Sequence, residues 1–147
     1  MIRQPVSGTS AVAKTERPES EAQQKKTQAD GYWIDPKASL MWAAKNRDKD
    51  MSQSEAIAYC EASSVGGFTN WRLPAIEELA GLYHSDPPYW QTEPHPKPYR
   101  MAGGILLTYP HQIASSTYEG SGYWFFDFMT HSAGRGGIQF PLCVRNE

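Results

Sequence analysis

Apolar positions show no sustained pattern before about Asp30 and then arrive abruptly. Residues 1–30 run through Ser7-Gly8-Thr9-Ser10, Lys14-Thr15-Glu16-Arg17-Pro18-Glu19 and Gln23-Gln24-Lys25-Lys26 without one aromatic side chain. Such a segment has too little apolar surface to offset the entropy of ordering it, so 1–30 reads as a disordered polar tail or linker. From Gly31 the character changes: Tyr32, Trp33, Ile34, Leu40, Met41 and Trp42 crowd around Asp35-Pro36-Lys37, which predicts two short strands and a turn. Ser52-Gln53-Ser54-Glu55 has the form of a capping box, in which Ser and Glu side chains satisfy each other's exposed backbone donors. The helix it starts has Ala56, Ile57, Tyr59, Cys60 and Ser63 on its inner face and Gly66-Gly67 as its left-handed stop. A second, shorter helix follows Trp71-Arg72-Leu73-Pro74, with Ile76, Leu79, Leu82 and Tyr83 at helical spacing and Glu77 and Glu78 in its first turns.

Residues 86–100 hold five prolines among Tyr89, Trp90, His95 and Tyr99, too interrupted for a helix or a central strand and too aromatic for a floppy linker. They predict a long, shaped surface loop. The remainder alternates strand and turn signals, with strands expected over 105–109, 112–118, 123–128 and 138–145. Between the last two lies a polar loop of His131, Ser132, Gly134, Arg135 and Gly136-Gly137. In the final strand Ile138, Phe140, Leu142 and Val144 face one way and Gln139, Pro141, Cys143 and Arg145 the other, unless Pro141 introduces a bulge. The order is a hairpin, two helices, a long loop and an antiparallel β-rich half, an α+β class in one domain over 31–147.

A length of 147 residues leaves room for one domain with a core and hardly for two. The net charge of −2 gives no broad electrostatic reason to seek nucleic acid or an anionic membrane, so neither is expected as a partner. No apolar run approaches the ~18 residues of a membrane span, and no export signal is visible in the chain as given, so no direct membrane insertion is expected. Five Trp and eight Tyr beside abundant Gly and Pro suit short strands and ordered loops.

Several elements in this order carry a resemblance. Gly31-Tyr32-Trp33-Ile34-Asp35-Pro36, Leu40-Met41-Trp42, Tyr59-Cys60, Gly66 through Pro74, Glu77-Glu78-Leu79, Ala114-Ser115-Ser116-Thr117, the aromatic strand at 123–128 and Cys143-Val144-Arg145 together resemble the bacterial Lcl C-terminal-like family. The resemblance spans about 31–145. Trp71-Arg72-Leu73-Pro74 alone is shared with the sulfatase-modifying, formylglycine-generating relatives. What the resemblance implies is a C-type-lectin-like fold; most members have no known function, and the namesake, a collagen-like adhesin, is associated with sulfated glycosaminoglycans. It also implies a long-range disulfide between Cys60 and Cys143, the alternative being two buried thiols in a reducing compartment. The chain departs from the family where Ala114 replaces a Trp and where Ala75 replaces a Thr, whose loss as a helix cap would cost about 1 kcal/mol.

The reading that follows is a non-enzymatic recognition or adhesion-type domain, extracellular, cell-surface or periplasmic, for a glycan or cell-surface protein. Trp71, Arg72, Leu73 and Pro74 read as a buried corner in which Trp71 packs, Arg72 bonds loop carbonyls or a carboxylate, and Pro74 starts the helix. Ligand contact is expected instead from Tyr89, Trp90, His95, Lys97, Tyr99 and Arg100, because aromatic faces stack on sugars and cations meet sulfate or carboxylate. His131 and Arg135 are a further candidate pair. Glu93-Pro94-His95 puts His where a calcium site needs an amide oxygen, and the His spacing suits no local metal site, so no metal or other cofactor is expected. Two readings compete: a structural or protein-interaction domain, with oligomerisation open, and an enzyme related to the formylglycine-generating proteins, which need a second use for the only two cysteines.

Overall fold

The structure, a computed structural model, describes residues 18–85, 99–100, 102–108, 112–120, 122–130, 132–136 and 139–147. Helix α1 (Pro18–Asp30) precedes a hairpin of β1 (Tyr32–Asp35) and β2 (Leu40–Ala43), then come helices α2 (Gln53–Glu61) and α3 (Ile76–Ser85). The rest is strand and turn: β3 (Tyr99–Arg100), β4 (Leu106–Leu107), β5 (Ile113–Glu119), β6 (Gly122–Asp127), β7 (Ser132–Arg135) and β8 (Val144–Asn146). Among the described residues they form three antiparallel sheets, ordered β1-β2-β8, β3-β4 and β5-β6-β7. The class is α+β.

The local signals act as their chemistry dictates. Asp35 turns the hairpin, its carboxylate accepting the Lys37 N–H at 2.9 Å while its carbonyl accepts the Ser39 N–H. The capping box of α2 is closed in both directions, Glu55 N–H to Ser52 Oγ and Ser52 N–H to Glu55 Oε1. The other end departs from expectation: α2 stops at Glu61 with Ala62 as a right-handed cap, leaving Ser63 outside it, and Gly66 and Gly67, at φ of 65° and 83°, shape the separate 3-10 turn Val65–Gly67.

The start of α3 is capped from elsewhere. Ala75 offers no hydroxyl; instead Thr117 Oγ1 on β5 accepts the Ile76 N–H at 2.9 Å, and Glu78 Oε1 accepts the Ala75 N–H at 2.8 Å. Two orphan donors are thereby satisfied, one across 41 residues of chain. The departure at Ala75 is thus compensated.

Three further expectations are corrected. The first concerns the second half of 1–30, since 1–17 lie outside the described residues: residues 18–30 are the helix α1, seated on the 3-10 turn Ala102–Gly104. It has no apolar face, which is why the sequence reads as tail, and it docks through polar contacts. Thr27 Oγ1 donates to the Gly103 carbonyl, and Gln28 Nε2 donates to Ala44 O at 2.7 Å and Gly104 O at 3.1 Å. Gly103 and Gly104, both at positive φ, present those carbonyls, and a Cβ on Gly104 would lie 2.5 Å from the Gln24 Cα.

The second concerns 138–145. Among the described residues there only Val144–Asn146 is a strand, and Pro141, Leu142, Cys143 and Val144 are buried in succession, so the predicted alternation fails. Pro141 has no N–H to donate, and the segment passes from one sheet to another. Gln139 exchanges bonds with Met51, Phe140 with Gln112 and Ala114, and Val144 with Arg72, while Pro141 O and Cys143 O accept from Arg47 and Ala43. The third concerns loop ends. Residues 99–100 and 132–135, expected in loops, form β3 and β7, and the strand expected over 105–109 is limited to Leu106–Leu107 among the described residues.

One core sits where these elements meet. Trp42, Trp71, Leu79, Leu82, Ile105, Leu107, Ile113, Phe128, Leu142 and Val144 are all 2% exposed or less, and full burial of each such side chain is worth about 1.5–3 kcal/mol before ordering costs. Cys60 on α2 and Cys143 before β8 are joined in a disulfide across this core, Cα atoms 5.5 Å apart.

Candidate functional site

The Trp71–Pro74 corner spends its chemistry on itself. Trp71 is buried and its indole N–H donates to Phe68 O at 3.0 Å. The Arg72 guanidinium meets Glu78 in a bidentate pair at 2.8 and 2.9 Å and adds Asn146 Oδ1 at 2.7 Å. Its backbone N–H and C=O are both bonded to Val144. The donated bonds from Arg72, and after them the Ala75 N–H, hold the Glu78 carboxyl below its ordinary range against partial burial; the same pair raises Arg72. Arg72 therefore finds the carboxylate that the sequence allowed it, and the corner is scaffold.

The open end of the β5-β6-β7 sheet is different. Register places Tyr118 opposite Tyr123, Trp124 opposite Arg135 and Phe125 opposite Gly134. On one face Tyr118 and Tyr123 meet edge to face, centroids 4.9 Å apart, and Tyr118 remains 58% exposed. Phe125 continues this stripe over Gly134, where a Cβ would stand 2.7 Å from its ring. On the opposite face the Trp124 indole N–H donates to Glu119 Oε1 at 3.0 Å, and the Arg135 guanidinium lies 5.4 Å from the Trp124 ring centroid. Arg135 also donates to Glu119 O at 3.1 Å. It is thus a strand residue stacked on Trp124, with one N–H of its fork spent on Glu119.

Of the predicted ligand residues, Tyr89, Trp90, His95, Lys97 and His131 lie outside the described residues, and Tyr99 and Arg100 are described only as the backbone of β3, paired with Leu107 and Leu106. Arg135 alone is placed with its surroundings. The structure groups it with Trp124 and Glu119, which the sequence reading did not nominate, and sets Tyr118 and Tyr123 on the other face. A signal existed: alternation in Tyr123-Trp124-Phe125-Phe126, when only one of its faces can enter the core. Among the described residues no group of three or more His, Cys, Asp or Glu side chains is placed to hold a metal ion, and no helix is long and apolar enough to cross a membrane.

The elements thus define a disulfide-closed α+β domain whose corner motif is structural and whose aromatic sheet end is open. The chain belongs to the Lcl C-terminal domain family, whose model matches residues 31–145. That match begins where α1 ends. No curated protein and no solved structure matches the chain.

Proposed function

We propose that the chain is a non-enzymatic recognition domain of C-type-lectin-like architecture that works outside the cytoplasm, binding a glycan or another cell-surface ligand without calcium. The observation that carries this reading is Tyr118, 58% exposed on a rigid sheet and braced by Tyr123. A braced aromatic offers a sugar ring an apolar face at little cost in side-chain entropy, with phenolic hydroxyls beside it for the sugar's own hydroxyls. The buried disulfide supports an oxidising location, because such bonds persist outside the reducing cytosol.

A glycan array on the folded, oxidised protein tests the proposal. Reproducible binding that falls about thirty-fold in Tyr118→Ala, the loss for truncating an aromatic anchor worth about 2 kcal/mol, supports it. Parallel Trp90→Ala and Tyr99→Ala variants ask whether the proline-rich segment shares the ligand. No glycan signal together with a concentration-dependent oligomer broken by Tyr118→Ala would make the chain an interaction domain instead. Formylglycine formed on a supplied sulfatase peptide would make it an enzyme.

A further inference from the structure

A recess of about 600 Å³ lies away from the aromatic sheet end, between the end of α1, the chain leaving β2, helix α2 and β4. Its floor is Ala43, Ala44, Val65, Leu106 and Cys143. The floor's backbone is already bonded: Ala43 N–H to Cys143 O, Ala44 N–H to Gly31 O, and Leu106 N–H to Ala44 O. The amides around it are spent as well. Asn46 is held by the Thr108 backbone on both its oxygen and its nitrogen, and Gln28 Nε2 is shared between Ala44 O and Gly104 O. The floor therefore presents apolar surface.

The rim does not. Lys45, Arg47 and Asp48 line it, and among the described residues none of the three makes a salt bridge. Lys45 and Arg47 outnumber the single acid, so the rim carries net positive charge. Arg47 is set in place by its backbone bond to Pro141 O and by the Tyr59 ring, whose centroid lies 5.0 Å from its guanidinium carbon. An apolar floor of small-molecule size beneath two cations without acidic partners fits one kind of guest, an organic anion whose charge sits at one end.

We propose that this recess is a binding site for a small amphiphilic carboxylate, an aryl or short branched acyl acid. Its apolar body lies on the floor of Ala44, Leu106 and Cys143, and its carboxylate meets Lys45 and Arg47. The site is separate from the Tyr118 face and stands whether or not that face binds a sugar. Amide chemical shifts of the full chain, titrated with benzoate, benzyl alcohol and acetate, test it. Benzoate should give saturable shifts centred on Lys45, Arg47, Tyr59, Ser63 and Thr108. Benzyl alcohol, which keeps the body without the charge, and acetate, which keeps the charge without the body, should each bind at least about ten-fold more weakly. The exposed double variant K45Q/R47Q should lose about ten-fold in benzoate affinity with the rest of the spectrum unchanged. Absence of saturable benzoate shifts, equal affinity for benzyl alcohol, or full affinity in K45Q/R47Q overturns the proposal.

Discussion

Reducing the Cys60–Cys143 bond should remove much of the fold's stability while leaving its contacts nearly intact. The two cysteines stand 83 residues apart. In the chain-entropy relation a closed loop of that size restrains the unfolded ensemble by about 15 cal/mol/K, or about 4.5 kcal/mol at 25 °C. A domain of this length has only about 5–15 kcal/mol in total, so the reduced protein should sit near the edge of unfolding. Comparing oxidised and reduced wild type is cleaner than substitution, because Cys60 is wholly buried and Cys143 nearly so; Ala at either would add a cavity cost to the lost cross-link. With a urea slope of about 1.5 kcal/mol per molar, the midpoint should fall by about 3 M on reduction. The slope itself should rise, since the reduced chain expands further on unfolding. A midpoint shift under about 0.7 M, equivalent to about 1 kcal/mol, would refute the reasoning. It would mean that the unfolded chain keeps α2 near the closing segment without help.

Three further outcomes follow from particular contacts. Glu78 has its carboxyl held below the usual range by Arg72, so its contribution is full above the unfolded carboxylate pKa of about 4.3 and is lost as pH falls through the lower folded value. Urea midpoints should show this acid-side loss in wild type and not in Glu78→Gln; with Arg72 38% exposed the solvent-screened pair is worth about 1 kcal/mol. Thr117→Val removes the hydroxyl that caps α3 and should cost about 1 kcal/mol in thermal or urea unfolding, part of which Ala75→Ser restores in the double variant by supplying a local cap. Gly104→Ala places a methyl against the α1 backbone at a residue with φ of 82°, so trypsin should cut at Lys25 and Lys26 about ten-fold faster while the domain from Gly31 onward survives.

Local rules carried the first half of the domain. The hairpin turn at Asp35 and the capping box at Ser52 are each settled within a few residues of chain and are legible as written, whereas α2 ends at Glu61, short of the glycines that read as its stop. The corner was legible for the same reason: a Trp and an Arg between a turn and a helix have few places to go. What failed depended on distant partners. Helix α1 has no apolar face to announce it, and its stability comes from the carbonyls of Gly103, Gly104 and Ala44, up to 76 residues away. Residues 139–144 read as alternating because alternation assumes one sheet; here they bond in turn to Met51 ahead of α2, to Gln112 and β5, to Arg47, to β2 and to the corner.

The candidate site was harder because it is a property of register. Nothing in Tyr118 itself distinguishes it from the other seven tyrosines. Its standing follows from the irregular pairing between Ala114 and Tyr118, a shift of register that keeps the strand's faces and sets Tyr118 directly opposite Tyr123. Ser115 holds that irregularity, its hydroxyl donating to Trp124 O at 2.6 Å and accepting the Thr117 N–H at 3.2 Å. Two residues later Thr117 caps α3, so the same short run fixes the helix that carries Glu78 and the strand that presents Tyr118. A short serine- and threonine-rich run, bland in composition, thereby couples the scaffold corner to the open sheet end. Substitution of Ser115 should disturb both places at once, whereas a purely local role would move only the strand.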